Sequence, residues 1–142
     1  MQKILILSLS LAIFLVFACS GNQYPSGARV YKATCANCHL DDGAGLGALI
    51  PPLANSDYLV KHRDQLACIV RYGLADTILV NGIRYQEQMA GIPNLSEVQI
   101  TNVLNYIGSN WGNKVPAFRL EEVRASLQSC NSLPTQDTKT KQ

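Results

Sequence analysis

The sequence carries no surplus of charge. Twelve basic against ten acidic residues leave a net +2 over 142 positions, too little to hold a polyanion such as nucleic acid by charge alone. It has no internal repeat and no strand pattern large enough to build a sheet core. No general acid, base and nucleophile are grouped together, so no hydrolytic or transferase chemistry is legible. No apolar run reaches the roughly 20 residues that a membrane-crossing helix needs. Methionine is scarce: beyond the initiator only Met89 occurs, and histidine occurs only as His39 and His62. The length suits one compact domain rather than two. Against these shortages, five cysteines in so short a chain is a high count, and an odd one.

The apolar residues are concentrated at the start. Lys3 precedes a stretch from Ile4 to Phe17 with the layout of an export signal, a positive end followed by an apolar core. The turn-forming Ser20-Gly21-Asn22 follows, with no basic stop-transfer cluster. Val16-Phe17-Ala18-Cys19 resembles a bacterial lipobox. That resemblance implies that residues 1–18 are a signal peptide and that Cys19 becomes a lipidated N-terminus holding the protein to a membrane. An ordinary cleaved signal, or an uncleaved anchor, are the alternatives. All three place the domain outside the cytoplasm, on the bacterial periplasmic side, where cysteines can be oxidised.

The rest divides into a tether over residues 19–26, a domain over 27–130 and a disordered tail over 131–142. Gly27 to Thr34 suits a helix, with Val30, Tyr31 and Thr34 on one face. Asp41 to Gly47 is a glycine-rich loop, and Pro51-Pro52 stiffens the chain after it. Ser56 can cap a helix from Asp57 to Tyr72, with Gly73 just beyond its end. Residues 77–80 and 83–85 flank Asn81-Gly82, the preferred pair for a two-residue hairpin turn. Ser96 and Gln99 form a capping box ahead of a stripe of Ile100, Val103, Leu104, Ile107 and Trp111. Pro116 opens a last helix with Leu120, Val123, Leu127 and Cys130 in line. The expected class is all-α.

The chemistry is concentrated in Cys35-Ala36-Asn37-Cys38-His39. Two cysteines three apart, followed directly by histidine, are the attachment signature of c-type haem. Each thiol adds to one vinyl group, and the adjacent imidazole falls under the iron. A thioredoxin-like redox pair would want a preceding strand, and a zinc site would want a second ligand pair; neither is present. Met89 lies in a loop claimed by no apolar stripe, and its soft thioether suits haem iron opposite histidine, raising the reduction potential. The rival sixth ligand, His62, stands beside Lys61 and Arg63 on what reads as a solvated helix face.

Gly27-x-x-x-Tyr31-x-x-x-Cys35-x-x-Cys38-His39, then Pro51-Pro52-Leu53, Met89 and Asn110-Trp111-Gly112-Asn113 resemble class I cytochrome c, from about Gly27 to Val123. The resemblance implies four to five helices around one covalent haem c, with Cys35, Cys38, His39 and Met89 as its binding residues and His39 and Met89 as the iron ligands. It implies that the Gly27–Thr34 helix and the Ser96–Trp111 helix cross closely at Gly27, with Tyr31 and Tyr106 nearby. It also implies that Pro51 or Pro52 presents its carbonyl to His39, orienting the imidazole. Two departures stand out: Ala90 follows Met89 where the family commonly has proline, and Asp41-Asp42 stand where it more often has glycine. Arg71, Arg84 and Tyr85 are candidates to meet the haem propionates. Leu46, Leu53, Ile78 and Leu95 are candidates to line the pocket.

Two cysteines remain, Cys68 and Cys130, near the ends of two expected helices. They are either a disulfide fastening the last helix to the body or two free thiols. The function expected is one-electron carriage between redox partners such as a respiratory complex, oxidase, reductase or dehydrogenase. The alternative is a haem-based sensor or catalytic subunit in which the sixth ligand dissociates.

Overall fold

A computed structural model of the protein describes residues 23–131; the export segment, Cys19 and all but the first residue of the expected tail lie outside them. The first helix, α1 (Pro25–Thr34), opens at proline, whose fixed φ and missing N–H suit a helix start, two residues ahead of Gly27. One turn, α2 (Ala36–His39), follows directly. The long helix expected from Asp57 to Tyr72 is broken into α3 (Asp57–Lys61), a 3-10 turn (Arg63–Gln65) and α4 (Leu66–Tyr72). The break falls in Lys61-His62-Arg63-Asp64-Gln65, which offers the core no apolar side chain. There Arg63 turns away to donate to the carbonyls of Pro116 and Ala117 and to Glu122. Ser56 does not cap α3 with its side chain. Instead Asn81 Oδ1 accepts the Asp57 amide at 3.0 Å, and Asp57 Oδ1 accepts the Asn81 amide at 2.7 Å.

Four short strands follow: β1 (Gly73–Leu74), β2 (Ile78–Val80), β3 (Ile83–Tyr85) and β4 (Met89–Ala90). The Asn81-Gly82 hairpin forms as its sequence requires, with both residues at positive φ and Leu79 opposite Arg84. The second pairing, β1 with β4, was not expected, and it places Met89 in a strand rather than a free loop. The last two helices are α5 (Glu97–Ser109), with its capping box formed, and α6 (Leu120–Asn131). Asn110 ends α5, so Trp111 lies beyond it at φ 51° and packs through its ring on Tyr31 and Tyr106. Pro116 does not open α6. Phe118, two residues on, is held extended by Asn105, which both donates to its carbonyl and accepts its amide. The helix starts only after the Glu122 carboxylate accepts the Arg119 amide.

Six α-helices and four strands of two or three residues make the described residues mostly helical. The main packing is α1 against α5. A Cβ on Gly27 would overlap the Asn102 carbonyl and come within 2.7 Å of Tyr106 Cβ, so only glycine lets the two backbones meet. Tyr31, Ile100, Val103 and Val123 are almost wholly buried at the centre. A disulfide between Cys68 and Cys130 ties α6 to α4. Among the described residues no helix is long and apolar enough to cross a membrane.

Candidate functional site

The single turn α2 does the first positioning. Its bonds run from the amides of Cys38 and His39 to the Cys35 carbonyl, at 3.1 and 2.9 Å. Residues at i, i+3 and i+4 share one face of a helical turn, and Cys35, Cys38 and His39 line the same cavity of about 390 Å³. Cys35 is buried and Cys38 exposed. Burial pushes the Cys35 thiol up, against the Thr34 hydroxyl 3.4 Å away, which lowers it.

His39 is buried, with its Nδ1 3.1 Å from the carbonyl oxygen of Pro51. A carbonyl only accepts, so Nδ1 carries the hydrogen, leaving Nε2 as the nitrogen with a free electron pair. Of the two prolines, Pro51 makes this bond. Burial holds the imidazole below its ordinary range, only partly offset by the Pro51 carbonyl. The neutral ring that results is the form that binds metals.

The second wall comes from the strands. Leu74, Ile78, Val80, Tyr85, Met89 and Ala90 line the cavity, as do Ser56, Tyr58 and Leu59 around the start of α3 and Leu66 and Ile69 from α4. Met89 thus faces the same space as Cys35, Cys38 and His39. His62 is not among the lining residues; its ring stacks on Tyr58 with centroids 4.1 Å apart.

Of the four residues expected to line the pocket, only Ile78 does so. Leu46 is exposed, Leu95 belongs to the main core and Leu53 packs against it. Of the three candidates for the propionates, only Tyr85 lines the cavity. Arg71 donates instead to the Pro93 carbonyl at 2.7 Å, and Arg84 points outward from the hairpin. Among the described residues no lysine or arginine lines the cavity; its charged lining residues are Asp76 and Glu87. Sequence reasoning passed over Ser56, Tyr58, Leu66, Ile69 and Leu74. Their spacing is that of ordinary core positions and carries no separate signal.

In a hollow of about 370 Å³ near Arg63, Phe118 and Glu122, that arginine is already paired with the glutamate and lies over the phenylalanine ring. The cavity under α2 differs in holding two thiols, an imidazole and a thioether within a largely apolar lining. That donor set fits a flat apolar macrocycle attached through sulfur, with a soft or borderline metal at its centre.

A model of the family described as cytochrome c matches residues 25–111. A cytochrome c-552 of Thermus thermophilus is 35% identical, the match covering 81% of this chain and 83% of that protein. The cytochrome c subunit of a quinone alcohol dehydrogenase from Gluconobacter oxydans is 35% identical over 68% of this chain, but over only 20% of its own length. The cytochrome c subunit of a gluconate 2-dehydrogenase from Pantoea cypripedii is 30% identical over 76% of this chain and 25% of its own.

Proposed function

This chain belongs to the cytochrome c family, and on that premise we propose that it is a monohaem carrier whose iron is held by His39 and Met89. Membership brings a covalently attached haem c and haem-based electron transfer. The observation that supports the ligand assignment is the shared cavity, in which Met89 is, among the described residues, the one methionine facing the space beside His39.

When bound, the haem supplies a one-electron couple at its iron. The chain's own residues hold it in place and set its potential. Cys35 and Cys38 tether the ring through their sulfurs. The Pro51 carbonyl fixes the tautomer and tilt of His39, so that Nε2 meets the metal without reorienting. Met89 contributes a weak, soft donor that favours the reduced iron. The lining of Leu59, Leu66, Ile69, Leu74 and Val80 excludes water, which also disfavours the extra charge of the oxidised state. No base or nucleophile is required of the protein, and its role is carriage rather than catalysis.

Donor and acceptor are other redox proteins. The dehydrogenase subunits among the relatives make an oxidoreductase complex a natural partner class. An exported protein held to a membrane by lipid on Cys19 would meet such partners by searching a surface. Changing Cys19 to Ala should then move the protein from the membrane to the soluble fraction. The ligand assignment is tested by Met89→Ala. The reduction potential should fall by on the order of 0.1 V or more, and ferrous protein should bind carbon monoxide readily. An unchanged potential would remove Met89 from the iron, and ready binding of carbon monoxide by the unaltered protein would favour a sensor or catalyst.

A further inference from the structure

A helix ends with carbonyls that have no partner within it. At the end of α4 those groups, and the strand that follows, are taken up by the segment carrying Met89. The Ile92 amide donates to the Val70 carbonyl at 2.9 Å. Gly73 pairs with Ala90 and Leu74 with Met89 in an antiparallel ladder. Arg71 reaches past these bonds and donates from Nη1 to the Pro93 carbonyl at 2.7 Å. Four residues of the stretch 70–74 are thus joined to four of the stretch 89–93. The seam is tight because a glycine stands on each side of it, Gly73 on one and Gly91 on the other. A Cβ on Gly73, which sits at φ 86°, would overlap the Met89 carbonyl, and one on Gly91 would strike the Tyr72 backbone.

We infer that this seam is what holds Met89 at its working position, and that Arg71, which closes it at the Pro93 end, is a positioning residue for the haem rather than a partner of its propionates. The inference rests on the reading of Met89 as iron ligand. A flexible segment would let Met89 leave the iron, and each bond along the seam lowers the population that has left. Ala90, lacking the constraint of a proline, is held by its backbone pairing to Gly73 instead.

The test uses the ferric holoprotein and imidazole, which binds only where Met89 has given up its place. Arg71→Leu should raise the apparent affinity for imidazole about fivefold, the shift in an opening equilibrium for one hydrogen bond lost. The weak sulfur-to-iron absorption at the red end of the spectrum should fade at a lower temperature than in the unaltered protein. Arg71→Lys, which keeps a donor, should restore most of both. If Arg71→Leu lowers the melting temperature but leaves imidazole affinity and that absorption unchanged, the residue is only structural and the inference falls. Met89→Ala is run beside it. If it too leaves imidazole affinity and absorption unchanged, the ligand assignment itself has failed.

Discussion

The hydroxyl of Tyr31 donates to the carbonyl of Leu40 at 2.6 Å, and Leu40 stands at φ 64° and ψ 164°, a conformation that only glycine adopts freely. Leu40 directly follows His39 and must turn the chain out of α2, so that the loop can return to the Pro51 carbonyl. Leu40 is 37% exposed and lies outside the hydrophobic core. The buried Tyr31 hydroxyl gains a partner through that turn, and its burial, followed by the nearby Cys35, holds the phenol above its ordinary range. Leu40→Gly should therefore stabilise the protein by about 1 kcal/mol, the relief of roughly 1–3 kcal/mol of strain less the entropy that glycine adds to the unfolded chain. Thermal unfolding would report it as a rise of roughly 4–8 °C. A lower melting temperature would mean that the turn is not strained.

Pro51 offers a second measurable effect. The bond to His39 comes from its backbone carbonyl, so substitution keeps the acceptor and removes only the ring that fixes its direction. On the proposed ligation by His39, in Pro51→Gly the bond slackens, the imidazole becomes a poorer donor to the metal, and ferric iron loses more stabilisation than ferrous. The potential should rise by tens of millivolts, a fraction of one hydrogen bond of about 1 kcal/mol on a one-electron couple. Haem content should stay the same. A fall in potential would contradict the orienting role given to this carbonyl.

The disulfide between Cys68 and Cys130 closes a loop of sequence separation 62. Cross-linking over that span removes chain entropy from the unfolded state, worth about 2–4 kcal/mol in practice. Replacing both cysteines with alanine should lower the melting temperature by roughly 10–20 °C. Reductant should do the same to the unaltered protein and nothing further to the double variant. A variant that melts like the parent would leave α6 held by its packing alone.

The residues proposed to carry the chemistry stand out in the sequence because their spacing is a local pattern, and the fold brings them to one cavity. On the proposed attachment, Cys38 and His39 stand three and four residues after Cys35 whatever surrounds them. The capping box at Ser96 and Gln99 and the Asn81-Gly82 turn were equally plain, since each is a local rule. Beyond local rules the sequence was less informative. The helix expected through Asp57–Tyr72 breaks because Arg63 finds acceptors on Pro116 and Ala117, more than fifty residues away. The start of α6 moves for a similar reason, Asn105 having claimed Phe118. The β1–β4 ladder is two residues long, too short for any alternation to appear. Arg71 was drawn toward the propionates by its charge, and only the fold shows that the Pro93 carbonyl takes it first.

Acid should loosen the junction between α6 and the 3-10 turn. Glu122 lies well below the usual carboxylate range, at about 2. The Arg119 backbone amide contributes most, then the Arg63 guanidinium, which bonds its Oε2 at 3.0 Å. In the unfolded chain the same carboxyl titrates near 4.5. Between these values the unfolded state binds the proton and the folded state does not, so stability falls as the pH drops. The contribution is complete above about 4.5 and gone near 2. Replacing Glu122 with glutamine removes the titrating group, so the variant's stability should change less steeply over this window while starting lower at neutral pH. Urea midpoints measured at several pH values, for parent and variant, would reveal the difference. Parallel pH profiles would show that Glu122 is not linked to folding, and that the acid sensitivity of the domain arises elsewhere, with Asp57 at the hairpin clasp next to test because its carboxyl is also depressed, by Lys61 first and then by the Asn81 amide.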